Sequence, residues 1–426
     1  MKILVVGNGG REAALCWKIK QSKKCDRLFC APGNAGIAEI AELVHADEPK
    51  ALLDFAKREN VGLTVVGPEA YLAEGITDLF EQEGLRIFGP SKKAAQIESS
   101  KIFSKKLMKK YGIPTASYEE FEESSAAIAF LKEQEYPLVI KADGLAAGKG
   151  VVIAADFAEA EKAVKEMLEE GAFSGAGKKI VVEEFLEGEE ASILCFTDGK
   201  TIVPMESSQD HKRIFDGDKG PNTGGMGAYR PAPVITKKLL SEIRSDILEP
   251  TIKAMEKEGC PYKGVLYAGI MVTKEGPKVL EYNARFGDPE TQAVLPRLTT
   301  DLVDIMDAII DNRLSQQMIE WNKHCAVCVV ISSGGYPGKY KTGYTIEGLE
   351  EAKKLKDVSL FHAGTSLAGC DVVTSGGRVL GVTALGETIR SAVDNAYKAV
   401  SKISFTDMYF RKDIGFRALK RDTSGN

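Results

Sequence analysis

No apolar run in this chain approaches the ~18 residues needed to span a bilayer, so a membrane-crossing helix is excluded. Basic residues cluster on no stretch and the net charge is −5, so nucleic acid would find no basic face to bind. The eight cysteines are scattered. Cys325-Ala-Val-Cys328 has CxxC spacing, but no second pair exists. It lies in an apolar, strand-like run, where positions three apart point to opposite faces. That argues against zinc or redox chemistry and for buried free thiols in a reducing compartment. The opening Met1-Lys-Ile-Leu-Val-Val is cut off at Gly7, too short for a secretory apolar core, so a cytoplasmic location is expected. There is no internal repeat and no low-complexity tract.

What is present is soluble globular chain. The 426 residues are 44% hydrophobic and 27% charged, enough for about three domains of ~150 residues. Over residues 1–100, apolar runs at 3–6, 63–66 and 86–88 end in Gly7-Asn-Gly9-Gly10, Gly67-Pro-Glu69 and Gly89-Pro-Ser91. With a helix expected at 11–21, this predicts a Rossmann-like open parallel sheet. Ligands bind such sheets at the carboxyl ends of the strands, which places Gly9, Gly10, Arg11, Glu12 and Glu69 along one edge. A helix is expected at 101–111, stopped by Gly112-Ile-Pro114. Residues 115–190 read as a compact α+β unit. Its strands are at 138–141, 151–154 and 180–185, its helices at 124–133 and 158–170, and 171–177 is a flexible connection. Further strands are expected at 191–196, 267–272 and 277–283, with a long polar loop at 207–230 and a helix at 302–312. From 326, strands dominate again (326–332, 360–363, 378–384), with one helix at 388–402. Residues 420–426 read as a disordered tail. The expected division is 1–100, 101–325 with 115–190 as a subdomain, and a small, mostly β domain at 326–426.

The chemistry gathers in a few places. Lys141-Ala-Asp-Gly144-Leu-Ala-Ala-Gly148-Lys149-Gly150 is a glycine loop between two strands. It lacks the spacing and the Ser/Thr of a P-loop, and it continues as a strand where a P-loop opens a helix. Backbone N–H groups and ammonium groups on such a hairpin can cover a polyphosphate. Lys141 shares a strand face with Val139, and a buried ammonium there needs an anionic partner. On the strand at 277–283, Glu281 and Asn283 project to the same side. Their hard oxygen donors suit Mg²⁺ rather than zinc. Arg285 follows, with a guanidinium able to hold a phosphoryl or carboxylate group. The acidic stretch from Glu183 to Glu190 reads, by composition alone, as a solvated hairpin. In the polar loop, His211 is a weak candidate base, and the glycines around Asn222 suit close backbone approach to a substrate. Gly7-Asn-Gly9-Gly10-Arg11-Glu12 imitates a dinucleotide fingerprint but has Glu12 in place of its third glycine, which counts against an NAD-dependent oxidoreductase.

Taken with Gln209-Asp210-His-Lys212-Arg, Gly220-Pro-Asn222-Thr-Gly224-Gly225-Met-Gly, Arg285-Phe-Gly-Asp-Pro-Glu-Thr-Gln and Thr374-Ser-Gly-Gly-Arg378-Val-Leu, these blocks resemble the glycinamide ribonucleotide synthetase family of ATP-grasp ligases. The resemblance implies an ATP-grasp fold and a reaction of purine biosynthesis. ATP, glycine and 5-phosphoribosylamine would give ADP, phosphate and glycinamide ribonucleotide through glycyl phosphate. A different ATP-grasp carboxylate–amine ligase is the alternative. By the same resemblance, Lys101 and Lys141 would hold ATP phosphates under a lid formed by Gly144, Gly148, Lys149 and Gly150. Glu183 and Leu186 would border the adenine, and Glu190 would take the ribose hydroxyls. Glu281 and Asn283 would ligate Mg²⁺ or Mn²⁺, with no further carboxylate offered by Tyr267-Ala-Gly-Ile-Met-Val. Lys141 and Arg285 would be catalytic, Arg285 at the oxyanion. Gly9, Gly10, Arg11, Glu12, Glu69, Asp210, Lys212, Asn222, Gly224, Gly225 and Arg285 would face substrate, and Arg378 the sugar 5′-phosphate. The partners are small molecules only, and a monomer is expected.

Overall fold

In the computed structural model, residues 1–146, 150–170 and 178–424 are described. Gly148 and Lys149, and the connection at 171–177, lie outside them. Five strands, β1 (Lys2–Gly7), β2 (Arg27–Pro32), β3 (Glu42–Leu43), β4 (Leu63–Val66) and β5 (Ile87–Phe88), form a parallel sheet in the order β3-β2-β1-β4-β5. Ile3, Leu4, Val5 and Val6 are all fully buried, as expected of a parallel strand covered on both faces. The carboxyl ends of β1 and β4 meet around Glu12, from the helix Gly10–Ile19. A Cβ on Gly67 would fall 2.0 Å from Glu12 Oε1, so glycine there makes room for a buried carboxylate.

The second sheet is antiparallel. Strands β6 (Tyr118–Phe121), β7 (Leu138–Ala142), β8 (Val151–Ala154) and β9 (Ile180–Glu184) run in the order β6-β9-β7-β8. Leu138, Ile140, Ala142, Ile180 and Val182 pack on Ala127, Leu131, Ala160 and Val164 of the two helices Ser124–Leu131 and Phe157–Leu168, forming a core of their own. Val139 and Lys141 face the other way and line a cleft.

A third sheet carries β10 (Glu189–Thr197), β11 (Ile202–Pro204), β16 (Gly264–Thr273) and β17 (Gly276–Asn283) in the order β11-β10-β16-β17. Its core is continuous with the first sheet. Phe196, Val265 and Phe286 pack in one cluster with Val5 and Phe88.

The polar loop expected at 207–230 is instead four short strands: β12 (Gln209–Asp210), β13 (Arg213–Phe215), β14 (Lys219–Asn222) and β15 (Gly227–Arg230). Strands β13 and β14 pair as a hairpin. Strands β12 and β15 join β18 (Cys325–Ser333), β19 (Val358–His362) and β22 (Arg378–Gly386) in the order β12-β15-β18-β22-β19, while β20 (Thr365–Ala368) and β21 (Asp371–Thr374) pair alone and β23 (Met408–Tyr409) pairs with β18. The C-terminal sheet therefore draws strands from about a hundred residues upstream of position 326. Of the tail expected to be disordered, residues 425–426 lie outside the described residues and 420–424 continue a helix, Phe416–Ser424. Its partners are remote in sequence: the Phe416 ring sits 5.8 Å from that of His211, and Arg417 pairs with Asp218 at 2.6 Å. None of the eight cysteines forms a disulfide, and no helix among the described residues is long and apolar enough to cross a membrane.

Arg230, at the end of β15, is fully buried. Its guanidinium lies 4.8 Å over the Trp321 ring and 3.9 Å from Glu206, which also accepts from the buried Arg297. One carboxylate thus serves two buried cations. Glu206→Ala should destabilise the fold by about 2–3 kcal/mol, below the ~3–5 kcal/mol for breaking a fully buried pair because Glu206 is partly exposed. A lowered denaturation midpoint with unchanged catalysis in the folded protein is the expected result.

Candidate active site

One cleft of about 840 Å³ lies where the four sheets meet. On the β7 side, Lys141 Nζ stands 2.9 and 3.0 Å from the two oxygens of Glu183 and donates to Leu280 O at 3.0 Å. Lys105 reaches the same carboxylate at 3.0 Å. Two ammonium groups thus share one buried carboxylate, and burial pushes Lys105 down to about 8 even so. Lys101, at the start of its helix, donates to Gly144 O at 2.9 Å, and burial lowers its pKa too. Asp143 accepts from the Ser100 hydroxyl and the Ile102 N–H, tying the glycine loop to that helix. Gly144 and Gly150 line the cleft.

Opposite stand Glu281 and Asn283 on β17, both lining the cleft. The Lys212 charge, opposed by burial and helped by Lys141 and Lys101, holds Glu281 down at about 2. Lys212 Nζ lies 3.4 Å from Glu281 Oε1 and pairs with Glu190. The lysine thereby bridges the acidic strand ends. Glu183, Leu186 and Glu190 all line the cleft, so the acidic stretch is part of its wall and not the solvated hairpin that composition favours. Asp210, Lys212, Asn222 and Gly224 line it as well. Burial raises the Asp210 carboxyl against the pull of Lys212. Among the described residues, no group of three His, Cys, Asp or Glu is arranged to hold a metal. A divalent ion here would rely on Glu281 and Asn283.

At the N-terminal edge, Arg285 Nε is 3.1 Å from Glu69 and its Nη2 is 3.0 Å from Glu98. Arg11 lies 3.8 Å from Glu69 and donates to Phe286 O at 3.2 Å. Burial works against the Glu69 charge, but Arg285 and Arg11 outweigh it and hold the carboxyl at about 2. Arg11, Glu69 and Arg285 face the cleft; Gly9, Gly10 and Glu12 do not line it. Glu12 is buried and accepts the Gly9 N–H at 2.7 Å, a capping contact at the start of its own helix. Gly225 also stays behind the wall. Arg378 lines the cleft, but its guanidinium is taken up by Gly224 O at 2.7 Å, Asp288 O at 2.9 Å and the Asp288 carboxylate at 3.3 Å. It thereby staples two loops at the cleft wall. His211 is fully buried, its Nε2 accepts from Gly415 N, and burial drives it down to about 3. It is a core histidine away from the cleft.

Residues 1–98, 99–291 and 326–417 match, in order, the N domain, the ATP-grasp (A) domain and the C domain of phosphoribosylglycinamide synthetase. The chain belongs to the phosphoribosylglycinamide synthetase family. It is 52% identical over 416 residues, covering 97% of this chain and 99% of the relative, to a phosphoribosylamine–glycine ligase of Caldanaerobacter subterraneus subsp. tengcongensis. The crystal structure of phosphoribosylamine–glycine ligase from Thermotoga maritima superposes with a TM-score of 0.84 at 32% identity, over 97% of this chain and all of that one. The biotin carboxylase domain of Hydrogenobacter thermophilus 2-oxoglutarate carboxylase shares the fold, with a TM-score of 0.72 at 18% identity over 96% and 91% of the two chains.

Within this phosphoribosylglycinamide synthetase fold, several cleft residues escape sequence reasoning. Lys105, Glu98, Glu290 and Tyr336 all line the wall. Glu290 opens the helix Glu290–Val294, where an acidic residue reads as ordinary N-terminal preference. Only folding shows it 2% exposed and accepting from Tyr267 at 2.7 Å. Lys105 sits on the buried face of a helix that also carries the exposed Lys106 and Lys109 and the half-buried Lys101, and sequence spacing does not single it out. Exposed Ile153 and Phe185 add an apolar rim.

Proposed function

We propose that this cleft joins glycine to 5-phosphoribosylamine at the expense of ATP, and that the residues gathered in it carry the reaction. The chain is an ATP-dependent ligase of purine biosynthesis, giving glycinamide ribonucleotide, ADP and phosphate. The observation that carries the site reading is convergence: Lys101 from a helix, Lys141 from β7, Glu281 and Asn283 from β17 and Arg285 just beyond it meet in one cleft.

A carboxylate is a poor electrophile, so glycine must first be activated. Its oxygen attacks the γ-phosphorus of ATP, an O–P bond forms, ADP leaves, and glycyl phosphate results. Lys101 and Lys141 neutralise the phosphates, and their burial strengthens that interaction. Ile153, Phe185 and Leu186 offer the apolar surface a purine base needs. Glu281 is fully ionised at neutral pH beside an amide oxygen, a donor set that fits Mg²⁺ or Mn²⁺. Such an ion would supply charge neutralisation at the transferring phosphoryl group. The amine of phosphoribosylamine then attacks the acyl carbon, phosphate leaves, and Arg285 holds the developing oxyanion. The β6–β9 unit, with its separate core, closes as the lid that keeps water from the acyl phosphate. The enzyme acts as a monomer in the cytoplasm, and the absence of any disulfide among its eight cysteines supports the reducing compartment.

Omitting substrates one at a time tests this. Rapid ADP release is expected only with both glycine and phosphoribosylamine present. Release that ignores either omission refutes the assignment.

A further inference from the structure

The scheme above leaves the proton of the attacking amine without a destination. Glu98, in the helix Lys92–Ser99, supplies one. Its side chain is 8% exposed and still lines the cleft. Oε1 stands 3.0 Å from Arg285 Nη2, and Oε2 accepts the Ala284 N–H at 2.6 Å. Both partners lie just beyond Asn283. Glu69 grips the same guanidinium from the other side at 3.1 Å.

Acylating an amine needs a donor for the carbonyl oxygen as it becomes an oxyanion, and an acceptor for the N–H proton, within reach of one reacting centre. Arg285 and Glu98 are such a donor and acceptor, in contact, and both are largely buried in the wall of the cleft. We propose that Glu98 is a further catalytic residue: it accepts the proton of the phosphoribosylamine amino group as that amine attacks glycyl phosphate. The assignment rests on the ligase reading of the same cleft. The balance is simple. A C–N bond forms, the acyl C–O bond to phosphate breaks, phosphate leaves with the electron pair, and the N–H proton passes to the Glu98 carboxylate, which later releases it to solvent or the departing phosphate.

The surroundings suit the role. Facing Glu98 are Arg285 and the Ala284 N–H just beyond β17, Glu69 and Arg11 from the helices after β4 and β1, Lys101 from the following helix, and Tyr262 from the segment before β16. Burial raises the Glu98 carboxyl to about 7; Arg285 and Arg11 oppose the rise and Glu69 adds to it. A base titrating near ambient pH is the most effective one. Glu69 and Glu281, held at about 2, are far too acidic to take a proton from an amine, and His211 is buried elsewhere.

Glu98→Gln separates this role from a structural one. Hydroxylamine traps glycyl phosphate as the hydroxamate; it needs the oxyanion donor but, being a weakly basic neutral nucleophile, not the buried base. In the variant, amide formation with phosphoribosylamine should fall by roughly 10²–10³-fold. Glycine-dependent hydroxamate formation and the KM for ATP should stay within about twofold of wild type. The wild-type kcat should drop below about pH 7, where Glu98 is protonated, and that acid limb should vanish in the variant's residual rate. Glu98→Asp, which keeps the carboxylate, should recover part of the rate, and melting curves of both variants confirm the fold. Equal loss of hydroxamate and amide formation would assign Glu98 to holding Arg285 and overturn the proposal. An unchanged amide rate would overturn it too. Because the wild-type rate with both substrates is measured first, failure of the ligase reading would show before any variant is tested.

Discussion

Glu281→Gln is expected to reduce turnover by on the order of 10³-fold while leaving the fold intact. The substitution preserves shape and removes one charge. In the wild type that charge faces Lys212, Lys141 and Lys101, and their combined field keeps it ionised against burial. Glutamine would take away the negative charge in the field of three ammonium groups, one of which Glu281 contacts, and replace the carboxylate at the proposed metal position with a weak neutral donor. ADP release as a function of Mg²⁺ concentration reads the effect. The variant should need far more metal and should not regain the wild-type maximum. A near-normal rate at ordinary Mg²⁺ would remove Glu281 from the metal site. The fold should survive because Glu281 holds no backbone group in place, and thermal melting checks this.

Glu183→Gln is expected to act on stability as well as on activity. Its carboxylate is 3% exposed and is the shared partner of Lys105 and Lys141. Breaking a buried pair from the anionic side leaves uncompensated charge and costs about 3–5 kcal/mol. The loss should concentrate in the β6–β9 unit, whose core is its own, and limited proteolysis should cut there first. The pH dependence has a definite sign. Lys105 already titrates near 8 in the fold, below its unfolded value, so the folded form binds fewer protons and gains stability as the pH rises above about 8. Without Glu183 the folded pKa falls further, and the gain begins at lower pH. The deficit relative to wild type should therefore shrink as pH rises toward about 8. A deficit independent of pH would mean that Lys105 is not the group left stranded.

Much of the fold is legible in the chain because its signals are local. The parallel sheet is announced by short apolar runs ending in glycine, and β4 is found where the pattern puts it. The helix Lys101–Tyr111 is bounded by a Ser100 cap and by Gly112, both readable in sequence. The face shared by Val139 and Lys141 follows from strand alternation alone. Where the pattern is polar and the partners are remote, the reading fails. The strands between 209 and 230 look like loop because Gly, Asp and Asn dominate them; they become strands only by pairing with each other and with β18. Residues 420–424 look like tail, but they continue a helix that His211 and Asp218 anchor at Phe416 and Arg417.

The division within the site has the same cause. Sequence by itself determined the class of chemistry: a glycine loop with lysines, hard oxygen donors two apart on a strand, an arginine beyond them, and blocks that together resemble one ligase family. These depend on residue type and short spacing, which the covalent chain preserves. Tertiary structure alone decided which groups are free to act. It set Glu12 as a cap on its own helix, bound Arg378 to two loops at the cleft wall, and buried His211 away from the cleft. It also set Glu98 against Arg285 across nearly two hundred residues of chain. Hydrogen-bond partners and desolvation are properties of what surrounds a side chain, and for these residues the surroundings come from distant segments.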